Sequence, residues 1–419
     1  TQLVRSRRRE IGSTSPVTSE TSSADRAAST PQKPLRILIG GDTFAPNVNG
    51  AARFTERLAA GLVSRGHEVF VSVPGARYRR TTGIEIVEGE PMTVHRLPSL
   101  RWYPHDWVRF VWPWRSRYYA RQVLDQVKPD VVHFQSHIVI GRGLAIEAQK
   151  RGIRLVGTNH VMPENIVDFT TLPRFMKGAF IKWGWWTAKG TFLRAQAITT
   201  PTQRAADFFV RSTGIEGVIA VSCGILASNY TADLTPRAEN RVLFVGRLTR
   251  EKQIDLLLDA VKVMDPALNV KIDIVGGGDQ RRNLEHHAEQ IGLGDRVTFY
   301  GRVDDDELCR IYTQASVFAM PSIAELQSIA TMEAMASGLP VVAADAMALP
   351  HLVHDGENGY LFDPPSRDDL AAKLTAVLTA APEERLRMQQ ASLEGVKVHD
   401  IDRTLRTFEA LYRDEPVEG

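Results

Sequence analysis

The stretch VFAMPSIAELQSIATMEAMASGLPVVA, residues 317–343, decides how the rest of the chain is read. Val317–Ala319 and Val341–Ala343 are short, unbroken apolar runs of the kind that form strands buried on both faces of a parallel sheet. Between them lie a Pro-Ser turn, a helix-forming segment over 327–337 and a Gly-Leu-Pro stop. Strand, crossover helix and strand together make the unit from which parallel α/β sheets are built. Two carboxylates interrupt this apolar stretch. Glu325 falls at the strand-to-helix turn and Glu333 about two helical turns further on, so both can address one ligand. A helix N-terminus at the same place offers free N–H groups to an anion.

The same pattern extends in both directions. Arg241–Val245 reads as a strand, Ile254–Met264 as a helix, Val270–Val275 as a strand ending in Gly276, Gly277 and Gly278, and Val297–Tyr300 as another strand, with helices around 280–291 and 305–315. Far upstream, Leu35–Ile39 is a buried strand followed by a Gly/Pro/Asn loop over 40–50. A helix then carries Phe54, Leu58, Leu62 and Val63 on one face, Gly66 stops it, and Val69–Val73 is the next strand. Further strands are predicted at Val131–Phe134, Leu155–Thr158 and Ala197–Thr200. The expected organisation is a disordered tail over 1–33, an α/β domain over 34–222, a linker over 223–240, a second α/β domain over 241–395, and a helical segment over 396–419 that could pack back on the first domain. Ligands of such sheets bind outside the carboxyl ends of the strands, which places the site in the cleft between domains.

Composition narrows the function. With 51 basic and 49 acidic side chains the net charge is +2, so no global field recruits a nucleic acid. The cysteines, Cys223 and Cys309, lie at no metal-ligand spacing and argue against a disulfide framework. No compact Asp-x-Asp loop suggests a metal, and Asp304–Asp306 reads as a helix start, where carboxylates favour the positive end of the dipole. No apolar run reaches the roughly 18 to 20 residues of a spanning helix.

The acidic segment, "PSIAE" followed by "EAMASGLPVV", resembles the motif of the large glycogen-synthase-like family of retaining glycosyltransferases (family 4 type) with the GT-B fold. That fold is two Rossmann-like α/β domains with parallel sheets facing a deep cleft. The resemblance also covers "GGDTFAPNVNGAARFTERLAAGL", "VGRLTREKQIDLLLDA", "DIVGGGDQRRNLE" and "VTFYGRVDDDEL", in the order the family has them. It implies that Glu325 holds hydroxyls of a donor sugar and Glu333 the ribose of a nucleotide, and that Arg247 and Lys252, after Gly246, neutralise a diphosphate. It further implies that the backbone at Val303 faces the base and that Gly50 lets the backbone approach a phosphate. Relatives often have glycine where this chain has Ser328, and His-x-His where it has His133, Gln135 and His137. His137 and His160, the latter in "GTNHVMPEN", are the candidates for contact with the donor sugar; a capping or core histidine is the other reading of His160.

The implied reaction moves a hexose from GDP-mannose or a UDP-sugar, with retention, and needs neither a cofactor nor a metal. The acceptor is sought in the first domain, because all 7 tryptophans lie between Trp102 and Trp186, interleaved with Arg101, Arg109, Arg115 and Arg117 in one group and with Lys177, Lys182 and Lys189 in another. Tryptophan among cations suits the headgroup layer of an anionic membrane. The expectation is a cytoplasmic enzyme, peripheral on the membrane, with a lipid or glycolipid acceptor. A transferase acting on a soluble acceptor and a GT-B-shaped sugar-nucleotide epimerase are the alternatives, and core packing is the other reading of the tryptophans.

Overall fold

The computed structural model describes residues 33–46, 49–102, 105–167 and 173–417. The expected tail over 1–33 lies outside them except for Lys33.

The first domain alternates strands and helices in chain order. Its strands are β1 (Arg36–Gly40), β2 (Glu68–Pro74), β3 (Thr81–Val87), β4 (Glu90–Leu97), β5 (Leu100–Trp102), β6 (His105–Phe110), β7 (Val131–Phe134), β8 (Arg154–Thr158), β9 (Ala197–Thr200) and β10 (Val218–Ala220). Its helices are α1 (Gly50–Ser64), α2 (Pro113–Val127), α3 (Ile140–Gln149), α4 (Pro163–Val167), α5 (Arg174–Phe192) and α6 (Gln203–Thr213). The main sheet has the order β10-β9-β8-β7-β1-β2-β4-β3, and β5 and β6 form a separate hairpin. Every pairing in the main sheet is parallel except β3 with β4. The sequence reading contained no β3–β4 hairpin. β3 is an edge strand whose Ile84 and Ile86 are exposed, so burial adds nothing to its local pattern.

The second domain contains β11 (Arg241–Val245), β12 (Lys271–Val275), β13 (Val297–Gly301), β14 (Val317–Met320), β15 (Val341–Ala344) and β16 (Gly359–Phe362). Its helices are α7 (Ile254–Val263), α8 (Arg281–Gln290), α9 (Asp305–Gln314), α10 (Ile329–Ala336), α11 (Arg367–Leu378) and α12 (Pro382–Val396). The all-parallel order is β13-β12-β11-β14-β15-β16. Strand order reverses beside β1 in one sheet and beside β11 in the other, at the β1/β7 and β11/β14 pairs. Those switch points leave crevices at the carboxyl ends of the strands, where the loops on either side turn in opposite directions.

Apolar periodicity sets the helix faces. α1 starts at Asn49, whose side chain accepts from the Ala52 N–H, and buries Phe54, Leu58 and Leu62. α10 is apolar around most of its circumference, and its Met332, Ala334, Met335 and Ala336 are all buried, as its near-continuous apolar sequence requires. A last helix, α13 (Ile401–Arg413), belongs to the first domain's core: Ile401, Leu405, Phe408, Leu411 and Tyr412 pack with Phe54, Leu58 and Leu62 of α1. The approach is close, since a Cβ on Gly61 would lie 2.6 Å from Leu405 Cδ1. The chain thus passes between domains twice, and the two crossings touch where Ile225 N–H donates to His399 O and Ile401 N–H to Ile225 O.

Candidate active site

Both switch points open into one cleft of about 1320 Å³. From the second domain it is lined by Gly246, Arg247, Lys252, Val303, Glu325, Ser328 and Glu333, and from the first by Gly50 and His160. His137 does not reach it. Its ring is 3% exposed and packs 6.1 Å from the Phe192 ring, and burial lowers its pKa to about 4, so it is a neutral core group.

The cation loop and the acidic loop are held together by their backbones. Residues Arg250–Lys252 form a short 3-10 turn before α7, and Glu251 O accepts from the Ile323 N–H at 3.1 Å and from Ser322 Oγ at 3.3 Å. This bridge brings Lys252 Nζ onto Glu325 Oε1 as an ion pair. Ser328 is the N-cap of α10: its Oγ accepts from the Thr331 N–H, and its φ of −95° is one any residue adopts. The serine that replaces the relatives' glycine therefore caps the helix carrying Glu333. Gln327 ties the same loop to the first crossing segment, its Oε1 accepting from the Cys223 N–H at 2.7 Å and its Nε2 donating to Ser222 Oγ at 2.9 Å.

Glycines in the cleft serve two purposes. Gly276 has φ +130°, and a Cβ there would lie 1.9 Å from Gly246 O; a Cβ on Gly278 would lie 2.2 Å from Leu248 O. These residues are glycine because the loop after β12 crosses directly against the loop after β11. Gly50 is different. It opens α1, and a Cβ there would meet nothing nearer than Ile329 Cδ1 at 3.9 Å, so no protein atom requires a glycine.

On the first-domain wall a polar chain runs from the core to the cleft. His133 Nδ1 is 2.7 Å from the Tyr412 hydroxyl and Nε2 is 2.6 Å from Thr158 Oγ1, while Gln135 Nε2 lies 3.2 Å from the same ring nitrogen. Gln135 Oε1 accepts from His160 Nε2 at 2.8 Å. An amide oxygen can only accept, so Nε2 carries the His160 proton and Nδ1 is the ring's lone-pair nitrogen. Burial lowers both rings to about 3, which keeps them neutral. Asp42, after β1, also lines the cleft; it accepts from Ser136 Oγ and from the Val139 and Ile140 N–H groups at the start of α3, and burial raises its carboxyl above the usual range.

Sequence reasoning did not single out Arg57, Gln135 or Asp42. Gln135 occupies the middle of the altered His-x-His, so the departure from the motif was itself the signal. Arg57 had none, because its partner, Glu333, is distant in sequence. The tryptophan groups divide. Trp112 and Trp114 stack at 4.5 Å and line the cleft mouth with Phe180, and both are exposed, as are Phe175, Trp183 and Trp186 of α5. Trp185 is buried and donates from Nε1 to Glu164 Oε1 at 2.9 Å, so for it the core reading holds. Arg109 is committed to the protein as well, donating to Gly75 O, Ser99 Oγ and Ala76 O. The side chains of Trp102 and Trp107 lie outside the described residues.

Two family models match the chain: Glycosyltransferase Family 4 over residues 48–226 and Glycosyl transferases group 1 over 232–394. The chain belongs to the family 4 glycosyltransferases. It is similar to the alpha-monoglucosyldiacylglycerol synthase of Streptococcus pneumoniae, 25% identical over 88% of this chain and 85% of that one. It is also similar to the GDP-mannose-dependent alpha-mannosyltransferase of Mycolicibacterium smegmatis, 28% identical over 86% and 92%. Among solved structures, sucrose-phosphate synthase from Thermosynechococcus elongatus superposes with a TM-score of 0.73 over 90% of this chain and 99% of that one at 20% identity. HepE of Anabaena with UDP-glucose superposes with 0.72 over 91% and 100% at 17% identity. These superpositions make the fold GT-B. As a glycosyltransferase the protein uses a nucleotide sugar as donor.

Proposed function

We propose that this glycosyltransferase moves a hexose, with retention of anomeric configuration and without a metal, from a nucleoside diphosphate sugar to a hydroxyl of a membrane lipid or glycolipid. The observation that carries the reading is the convergence of Lys252, Arg247, Glu325 and Glu333 on one cleft at the switch points of both sheets. Glu333 takes the ribose hydroxyls, the backbone at Val303 faces the base, and Glu325 takes hydroxyls of the sugar. Gly50, Gly246 and Ser328 admit the diphosphate between the domains. As the bond from the anomeric carbon to the phosphate oxygen breaks, Arg247 and Lys252 neutralise the growing charge, an effect largest in the transition state. The acceptor oxygen bonds to the same face of that carbon, and its proton passes to the departing phosphate oxygen. His160, with Nδ1 unprotonated, is suited to accept a hydrogen bond from a sugar or acceptor hydroxyl.

The lipid acceptor is supported by the apolar cleft mouth. Trp112, Trp114 and Phe180 lead from the cleft to the exposed Phe175, Trp183 and Trp186, flanked by the exposed Arg115, Lys182 and Lys189. Among the described residues no helix is long and apolar enough to cross a membrane, so this face supports contact by lying on the surface. The lipid reading also fits the similarity to an alpha-monoglucosyldiacylglycerol synthase. The test is a matrix of UDP-, GDP- and ADP-sugars against membrane lipid extracts, with and without EDTA, and NMR of the product's anomeric centre. Transfer to lipid with retained configuration and undiminished in EDTA is expected. An inverted product, loss of turnover in EDTA, or transfer solely to soluble acceptors rejects the corresponding part of the reading.

A further inference from the structure

The carboxylate that the reading above gives to the ribose is gripped from the opposite domain. Arg57, on α1 of the first domain, donates from Nη2 to Glu333 Oε1 at 2.8 Å, and the two side chains are 16% and 9% exposed. On the other side, the Tyr312 hydroxyl donates to Glu333 Oε2 at 3.2 Å, and the Tyr230 hydroxyl adjoins both the carboxylate and the guanidinium. Glu333 thus has one oxygen held by its own domain and one held across the cleft. Among the described residues the buried Arg57 Nη1 has no hydrogen-bond partner, so the guanidinium has hydrogen-bonding capacity left for a ligand atom in the cleft that Arg57 itself lines.

The consequences are electrostatic. Separating the domains would leave a carboxylate and a guanidinium, both desolvated here, without their partners, which is strongly unfavourable while they stay buried. An uncompensated Glu333 would also repel an incoming diphosphate, whereas the Arg57–Glu333 pair presents no net charge. A carboxylate has more acceptor sites than the two bonds use, so ribose hydroxyls can be added without displacing Arg57. A second, weaker bridge runs parallel, from Arg53 Nη2 on the same helix to Asp305 Oδ1 at 3.3 Å; that pair is more exposed and worth correspondingly less.

We propose that Arg57 is a positioning residue that holds Glu333 ready for the nucleotide only while the two domains are closed, coupling donor binding to closure. This rests on the assignment of Glu333 to the ribose. The full chain and its Arg57→Met, Arg57→Lys, Glu333→Gln and doubly substituted Arg57→Met/Glu333→Gln variants are compared by small-angle scattering without nucleotide and by calorimetry with UDP, GDP and ADP. Arg57→Met is expected to enlarge the radius of gyration of the empty protein and to weaken the preferred nucleoside diphosphate by about tenfold. Arg57→Lys, which keeps the charge, is expected to recover most of both losses and serves as the control for folding. Once Glu333 is Gln, adding Arg57→Met should weaken binding no further. A cleft that stays closed and binds normally in Arg57→Met overturns the role of Arg57. A cleft that opens in Arg57→Met, with full nucleotide affinity in Glu333→Gln, overturns the ribose assignment and the coupling with it.

Discussion

Gly50→Ala separates a glycine needed by a ligand from one needed by the fold. Position 50 is the first residue of α1, and the added methyl would have Ile329 Cδ1 at 3.9 Å as its nearest neighbour, an ordinary contact. Alanine in a helix is favoured over glycine by roughly 0.5–1 kcal/mol, less at an end, so the folded state should be unharmed or slightly favoured. For a chain of this size that is a rise of about 1 °C or less in the unfolding midpoint. The methyl points into the cleft. If a donor phosphate lies against the Gly50 backbone, the substitution forces it outward, and losing one good hydrogen bond to a charged group costs about 1.5–3 kcal/mol, roughly a 10- to 100-fold loss of affinity. Calorimetry with nucleoside diphosphates alongside a thermal melt reads both effects. Gly276→Ala is the contrast: its Cβ would sit 1.9 Å from Gly246 O at φ +130°, so it should lower the melting midpoint as well as affinity. A Gly50→Ala protein that melts normally and binds the nucleotide as tightly as the parent would refute placing the phosphate there.

The paired carboxylates should differ: Glu333→Gln is expected to weaken a bare nucleoside diphosphate and the sugar donor alike, whereas Glu325→Gln should lower turnover more than diphosphate affinity, and equal losses of affinity would reject that division. Lys252→Ala, which also leaves the buried Glu325 without its cation, should reduce transfer on the order of 100-fold; a folded variant with full turnover would remove Lys252 from the reaction. His95, His133, His137 and His399 are all buried with pKa values lowered to about 3 or 4, so the unfolded chain takes up protons first as pH falls below about 6.5. Each should lower stability by about 2 kcal/mol at pH 5 relative to pH 7, against which Glu56, raised to about 7, and Asp42 act in the opposite sense; the net result is a lower melting midpoint at pH 5, and a midpoint that is flat or rises contradicts it. Sedimentation with liposomes should show binding that grows with anionic lipid and is lost when Arg115, Lys182 and Lys189 are changed to Ala, and indifference to anionic liposomes at low salt would remove the membrane surface from the account.

The parts of the fold legible in the sequence were those with a strong local signal. Central strands such as Val317–Met320 and Val341–Ala344 are buried throughout and read as unbroken apolar runs, and α1 declares itself through Phe54, Leu58 and Leu62. The β3–β4 pair gave no such signal, because its edge strand is exposed along most of its length. The same logic governs the cleft. Glu325, Arg247 and Lys252 could be named because each stands in a loop or turn fixed by neighbouring sequence, and Glu333 because it follows Glu325 on the helix that this turn opens. His137 was named with them on a motif that this chain alters, and it proves to be a core residue. Arg57 is one of many arginines on helix surfaces, and only the approach of two domains gives it a partner. The tryptophans show a further limit: a cluster along the chain does not say which rings face outward, and Trp183, Trp185 and Trp186 divide between surface and core.

The packing of α13 against α1 constrains the order in which the protein can be assembled. The first domain is synthesised before the second, but Phe408 and Tyr412, both buried in its core, are not made until the ribosome has passed through the whole second domain. Until then Phe54 and Leu58 lack part of their cover, and His133 lacks the hydroxyl on its Nδ1. The domain between the two crossings has its own uninterrupted core and is free to fold on emergence. The early-made domain is therefore the late-finishing one, left open beside a folded neighbour, and that interval is when it would be most exposed to proteases and most in need of a chaperone.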